Sequence, residues 1–152
     1  MQAEVDMSGR IEETNRPTAL ALANDVTECI LISGRDKRMA IQALKQIKPE
    51  RERKQIHVLI FSTLLYLLLS DYFTAAGVIL IDSEYPGYEA VIKNRVMSLC
   101  HNEGIEVNKD QIAFGQVGKK SPAHALAYSV YTNKIRPDRR ISGQDILQVF
   151  RK

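Results

Sequence analysis

The sequence predicts an α/β chain built on a mixed five-stranded sheet, and three observations carry that expectation. Val78-Ile79-Leu80-Ile81 is an uninterrupted aliphatic run, as in a strand buried on both faces. Before Gly34, three short β-like stretches are separated by turn residues, the pattern of an antiparallel meander. After Gly34 the hydrophobic period becomes helical, interrupted by only two further strands, so those strands are joined by helices.

At 152 residues the chain has the length of one domain, residues 1–152, able to bury a core. Hydrophobic residues make up 45% and charged ones 26%, ordinary for a globular protein. A net charge of +3 permits a polyanionic partner without demanding one. Cys29 and Cys100 lie in apolar settings without metal-ligand spacing, and a reduced, cytoplasmic chain is the simplest account.

Taken in order, Met1–Ser8 is small and polar, with Val5 its only strong β former, and Ile11–Thr14 is the start expected for the first strand. Asn15-Arg16-Pro17 supplies a turn. Thr18–Ala23 sets Leu20 and Leu22 on one face against alanines on the other, and after Asn24-Asp25 a third strand runs over Glu28–Ser33. Asp36 caps a helix whose Ala40, Ile41, Leu44 and Ile47 share a stripe, and Lys48 ends it because Pro49 follows. Pro49 suits the first position of the next helix, with Glu50 and Glu52 near its positive end.

That next helix is apolar on all sides from Ile56 to Leu69, so it must be covered on most of them, and it is expected to pack across the sheet. Its 14 apolar-block residues fall short of the roughly 18 to 20 that a membrane span needs, and no signal peptide precedes it. Tyr88, Ile92, Val96 and Leu99 then mark a helix, with Gly104 as its C-terminal cap. Gln111–Val117 is the fifth strand. Ser121-Pro122 is a strong helix start, and Ala123, Leu126, Ala127 and Val130 form that helix's apolar side. Asn133–Arg140 is expected as a basic loop, and Ser142 with Asp145 resembles a capping box opening a last helix.

The chain is organised around Val78–Glu89. Asp82 ends the buried run, where ligands gather in α/β sheets, although an aspartate there also suits a turn or a helix cap. The order three strands, helical segment, strand, helix, strand, helix resembles the ribonuclease H-like architecture from the N-terminus to about residue 132. Asp82-Ser83-Glu84-Tyr85 is similar to the Asp-Ser-x-Tyr that closes the corresponding strand of ribonuclease H, whose Asp is a metal ligand. Asp6-Met7-Ser8-Gly9 is similar to the Asp, followed by Gly or Ser, that ends the family's first strand.

The resemblance implies Mg²⁺ or Mn²⁺ held by acids on the first strand, first helix, fourth strand and last helix, activating water for phosphodiester cleavage. Carried over, it assigns Asp82 and Asp6 as ligands, with Glu84 as an outer one. Glu12 or Glu13 replaces Asp6 if the first strand is Ile11–Thr14, and Glu52 is the nearest acid on the long helix. The last family helix has no acid here between Ser121 and Lys134, and offers His124 as the catalytic group instead. Of the other histidines, His57 is expected as a hydrogen-bonded core residue and His101 as a favourable cation at a helix end.

Gly118-Lys119-Lys120-Ser121-Pro122 places two cations and the free N–H groups of a helix start beyond a strand end. Lys119, Lys120 and Ser121 are therefore the expected phosphate contacts, with Arg136, Arg139 and Arg140 as a further basic set or simply a solvated turn. No Walker A, GxGxxG, HExxH, GxSxG or CxxC pattern is present. Two functions follow. One is a metal-dependent nuclease or nucleic-acid processing factor. The other is a non-catalytic ribonuclease H-like interaction module, with the apolar helix pointing to a homodimer. A small-molecule phosphotransfer enzyme is a third class, for which no nucleophile is evident.

Overall fold

The computed structural model describes residues 3–73 and 77–151; residues 1, 2, 74–76 and 152, including the first two of the N-terminal stretch, lie outside the described residues. Among the described residues, a mixed six-stranded sheet runs in the order β5-β4-β1-β2-β3-β6 with five α-helices. The meander is β1 (Ala3–Ser8), β2 (Thr18–Ala23) and β3 (Thr27–Ile32), antiparallel throughout. β4 (Ile79–Asp82) lies parallel to β1, and β5 (Ile112–Gly115) parallel to β4.

Two expectations about strands are corrected. The sheet has six strands, because Arg139–Ile141, expected within a basic loop, pairs in parallel with β3 as β6. Asp138 fixes the pairing: its N–H donates to the Cys29 carbonyl at 2.8 Å, and its Oδ2 accepts from the Cys29 N–H at 2.7 Å. The first strand is Ala3–Ser8 and not Ile11–Thr14, which lies in the β1–β2 turn. Ile11 is buried in the core there while Glu12 and Glu13 stay exposed, so one apolar residue in a turn imitated a strand.

The helices are α1 (Gly34–Ile47), α2 (Arg53–Leu69), α3 (Glu89–Asn102), α4 (Pro122–Tyr131) and α5 (Gly143–Phe150). α1 is capped by Ser33, whose hydroxyl accepts the Asp36 N–H at 3.1 Å. Asp36 is the first-turn acid rather than the cap. α2 begins at Arg53 with Glu52 as N-cap, four residues later than the Pro49 start expected from sequence. Ser121 caps α4 with Pro122 in its first turn, and the Ser142–Asp145 capping box opens α5, both as the sequence predicts.

Helices cover both faces of the sheet. α2 packs on β2 and β3 and is flanked by α1, α3 and α5, so its apolar surface is buried within the chain. Ser62 and Thr63 inside it return their hydroxyls to the carbonyls of Val58 and Leu59, which removes the cost of burying them. No helix among the described residues is long and apolar enough to cross a membrane. α4 packs on the opposite face, over β1, β2 and β3, where Ala19, Ala21 and Cys29 meet Ala127 and Val130. Small side chains on that face of β2 let the helix approach closely.

Candidate metal centre

β1 and β4 run side by side in parallel with Val5 opposite Ile81, so Asp6, two residues before the end of β1, lies level with Asp82 at the end of β4. Alternation along β1 turns Val5 into the α2 layer and sends Glu4 and Asp6 toward α4. Two hydrogen bonds lock that arrangement. The Ser121 hydroxyl donates to Glu4 Oε1 at 2.8 Å, and His124 Nδ1 meets Asp6 Oδ2 at 2.7 Å. Strand residues two apart are thus matched to helix residues three apart, which sets α4 across the end of β1.

Each aspartate is also held by backbone. Asp6 Oδ1 accepts the Met7 N–H at 2.8 Å, and Asp82 Oδ1 accepts the Val117 N–H at 2.8 Å. Beyond Asp82 the chain turns, with the Ser83 N–H donating to the Gly115 carbonyl and the Ser83 hydroxyl to Glu89 Oε2. The turn brings Glu84 back to the strand ends. Asp6, Asp82 and Glu84 each offer a ligand oxygen, and these lie within 4.8 Å of one another.

The cavity over the cluster has a volume of ≈ 900 Å³, and its lining includes Asp6, Arg10, Asp82, Glu84, Lys119 and His124. Electrostatics inside it are strained. Burial pushes the Asp6 carboxyl up, against the hydrogen bond from His124. Burial, the hydrogen bond with Asp82 and the nearby charges of Asp82 and Asp6 push Glu84 up to about 8, so without a cation it keeps its proton at neutral pH.

No family model, curated protein or solved structure matches the chain. The chemistry of the centre therefore rests on its own residues. Three carboxylate oxygens with no sulfur suit a hard cation such as Mg²⁺ or Mn²⁺, and a bound cation relieves the repulsion that holds the proton on Glu84.

Of the residues expected at the site, the fold brings Asp6, Asp82, Glu84, His124 and Lys119 to one cavity. It does not bring the rest. Lys120 is exposed and is not among the residues lining the cavity. The Ser121 hydroxyl donates to Glu4 and accepts the Ala123 N–H, and Ser121 is not among the residues lining the cavity. Glu12 and Glu13 lie in the β1–β2 turn outside the cluster, and Glu52 caps α2.

Arg10 was missed. It follows Gly9, whose φ of +83° and 2.3 Å clearance from its Cβ position to the Pro17 carbonyl demand glycine. A glycine right after a strand-ending Asp-Met-Ser, followed by a cation, was the available signal.

Proposed function

We propose that the chain is a metal-dependent nuclease or nucleic-acid processing factor of ribonuclease H-like fold. The meeting of Asp6 on β1 with Asp82 and Glu84 at and beyond the end of the adjacent parallel strand β4 carries this reading. An antiparallel meander continued by parallel strands that alternate with helices is the arrangement the resemblance implies, with β6 added at the far edge.

Asp6, Asp82 and Glu84 would hold Mg²⁺ or Mn²⁺, which when bound supplies Lewis-acid activation of water and charge stabilisation at the phosphodiester. The Met7 and Val117 N–H groups fix the orientation of the two aspartates. His124 is pinned through Nδ1, which leaves Nε2 for proton exchange at the cavity. Lys119 and Arg10 supply cations for substrate phosphates at the cavity wall.

The test is cleavage of single-stranded, duplex and hybrid nucleic acids with Mg²⁺ or Mn²⁺. Cleavage is expected to need the metal and to fall by about 100-fold or more in Asp82→Asn. Activity that survives this substitution removes the assignment.

The second reading is a non-catalytic interaction module of the same fold. It is favoured by the acid-free stretch of α2 from Ile56 to Leu69 and by the absence of any acid in α4. A Mn²⁺ titration separates the two, since tight binding of two ions counts against the module. The apolar surface of α2, the reason for expecting a homodimer, is covered by the chain itself. Light scattering measures the oligomeric state directly.

A further inference from the structure

A second cavity, of ≈ 450 Å³, lies between the β1–β2 turn, α1 and α2 and shares no lining residue with the acidic one. Its polar lining is Glu12, Thr14, Arg38, Gln42, Arg53 and His57. His57 departs from its expected role as a hydrogen-bonded core residue. It is buried to 6% exposure, yet among the described residues its ring has no hydrogen-bond partner. The ring lines the cavity and spends neither nitrogen on the protein, so a nitrogen is open to water or to a ligand there.

The surroundings define what that partner is. Arg53 stands four residues before His57, on the same side of α2 and close enough to act on its charge. Among the described residues the Arg53 guanidinium and the Gln42 amide have no hydrogen bond or ion pair. Arg38 spends one N–H on the Thr14 carbonyl and keeps the others. The N-cap Glu52 carboxylate accepts from the first-turn backbone and offsets the positive end of α2, so the positive charge at the cavity comes from the arginines. Glu12 is the only carboxylate in the lining and balances one of the two arginines.

We propose that this cavity binds a phosphate group, free or as the head of a small phosphomonoester, through Arg38, Arg53 and Gln42, with His57 as its buried hydrogen-bond partner. The donors come from two helices, Arg38 and Gln42 from α1 and Arg53 and His57 from α2, and two guanidinium groups suit the several oxygens of a phosphate. The volume leaves room for an organic group beside the phosphate.

The chain has three histidines, so the His57 ring resonance is separable in the full-length protein. It is titrated at constant pH and ionic strength with sodium phosphate, with glycerol phosphate, with sodium acetate and with sodium chloride. A saturable His57 shift is expected with phosphate or the monoester, weakened about tenfold or more in Arg53→Ala, an exposed position whose loss leaves the fold intact. The stronger of the two phosphate ligands identifies the source. A shift that chloride or acetate reproduces, one unchanged in Arg53→Ala, or no shift at all overturns the site.

Discussion

Raising the pH should strengthen metal binding at the acidic centre, and Glu84 sets how steeply. Its carboxyl is pushed up to about 8, so the metal must displace a proton below that pH. With a pKa of about 8, the ionised fraction is about 1% at pH 6, about 9% at pH 7 and about one half at pH 8. Mn²⁺ affinity is therefore expected to rise about 50-fold from pH 6 to pH 8, with about 0.9 proton released per ion at pH 7.

Calorimetric titration in two buffers of different ionisation enthalpy measures both quantities. Stability without metal follows the opposite sign. The folded-state pKa of Glu84 lies above its ordinary 4.5, so its contribution is fully present below 4.5 and is lost as pH rises through about 8. Glu84→Gln mimics the protonated acid. It should raise the melting temperature of the metal-free protein at pH 8, leave it unchanged near pH 4.5, and flatten the pH dependence of binding. Affinity that changes by less than about threefold between pH 6 and pH 8, or a slope that persists in Glu84→Gln, would refute the reasoning.

Three further outcomes are expected. Ser121→Ala should cost about 1–2 kcal/mol in chemical denaturation, through the lost helix cap and the lost bond to Glu4, with Mn²⁺ affinity unchanged. Lys37 is fully buried, and its ammonium holds the carbonyls of Arg10 and Glu13 and the Thr18 hydroxyl. Lys37→Met strands all three acceptors, so a loss of about 3 kcal/mol or more is expected in urea unfolding. Gly9→Ala forces a Cβ onto the Pro17 carbonyl at a positive φ, and thermal unfolding should show a destabilisation of about 2 kcal/mol or more.

Elements whose signals are local were legible in the chain. Ser121-Pro122, the Ser142–Asp145 box and the Ile92-Val96-Leu99 stripe each specify a helix within a few residues of the observed bounds. Val78–Ile81 announced β4 as an unbroken apolar run, although only Ile79 and Ile81 are buried, Leu80 is half-buried, and Val78 is exposed just before the strand. Asp82 stood out for the same reason, as the first carboxylate where that run ends.

What escaped the sequence depended on partners far along the chain. β6 has three residues, two of them exposed arginines, and no period to read; its pairing with β3 and the Asp138–Cys29 bonds make it a strand. The choice among Asp6, Glu12 and Glu13 was open in the sequence. The parallel register of β1 on β4 puts Asp6 level with Asp82, while Glu12 and Glu13 in the β1–β2 turn lie outside the cluster. His57 was legible as buried but not as unpartnered, since hydrogen bonding depends on what three separate segments place around the ring. Composition and periodicity thus determined the helices and the apolar strands β2 to β5, whose signals lie in neighbouring residues, but not β1 or β6. Which acids share a cavity, and which polar groups lack partners, came only from packing across the sheet, where contacts join residues more than 70 positions apart.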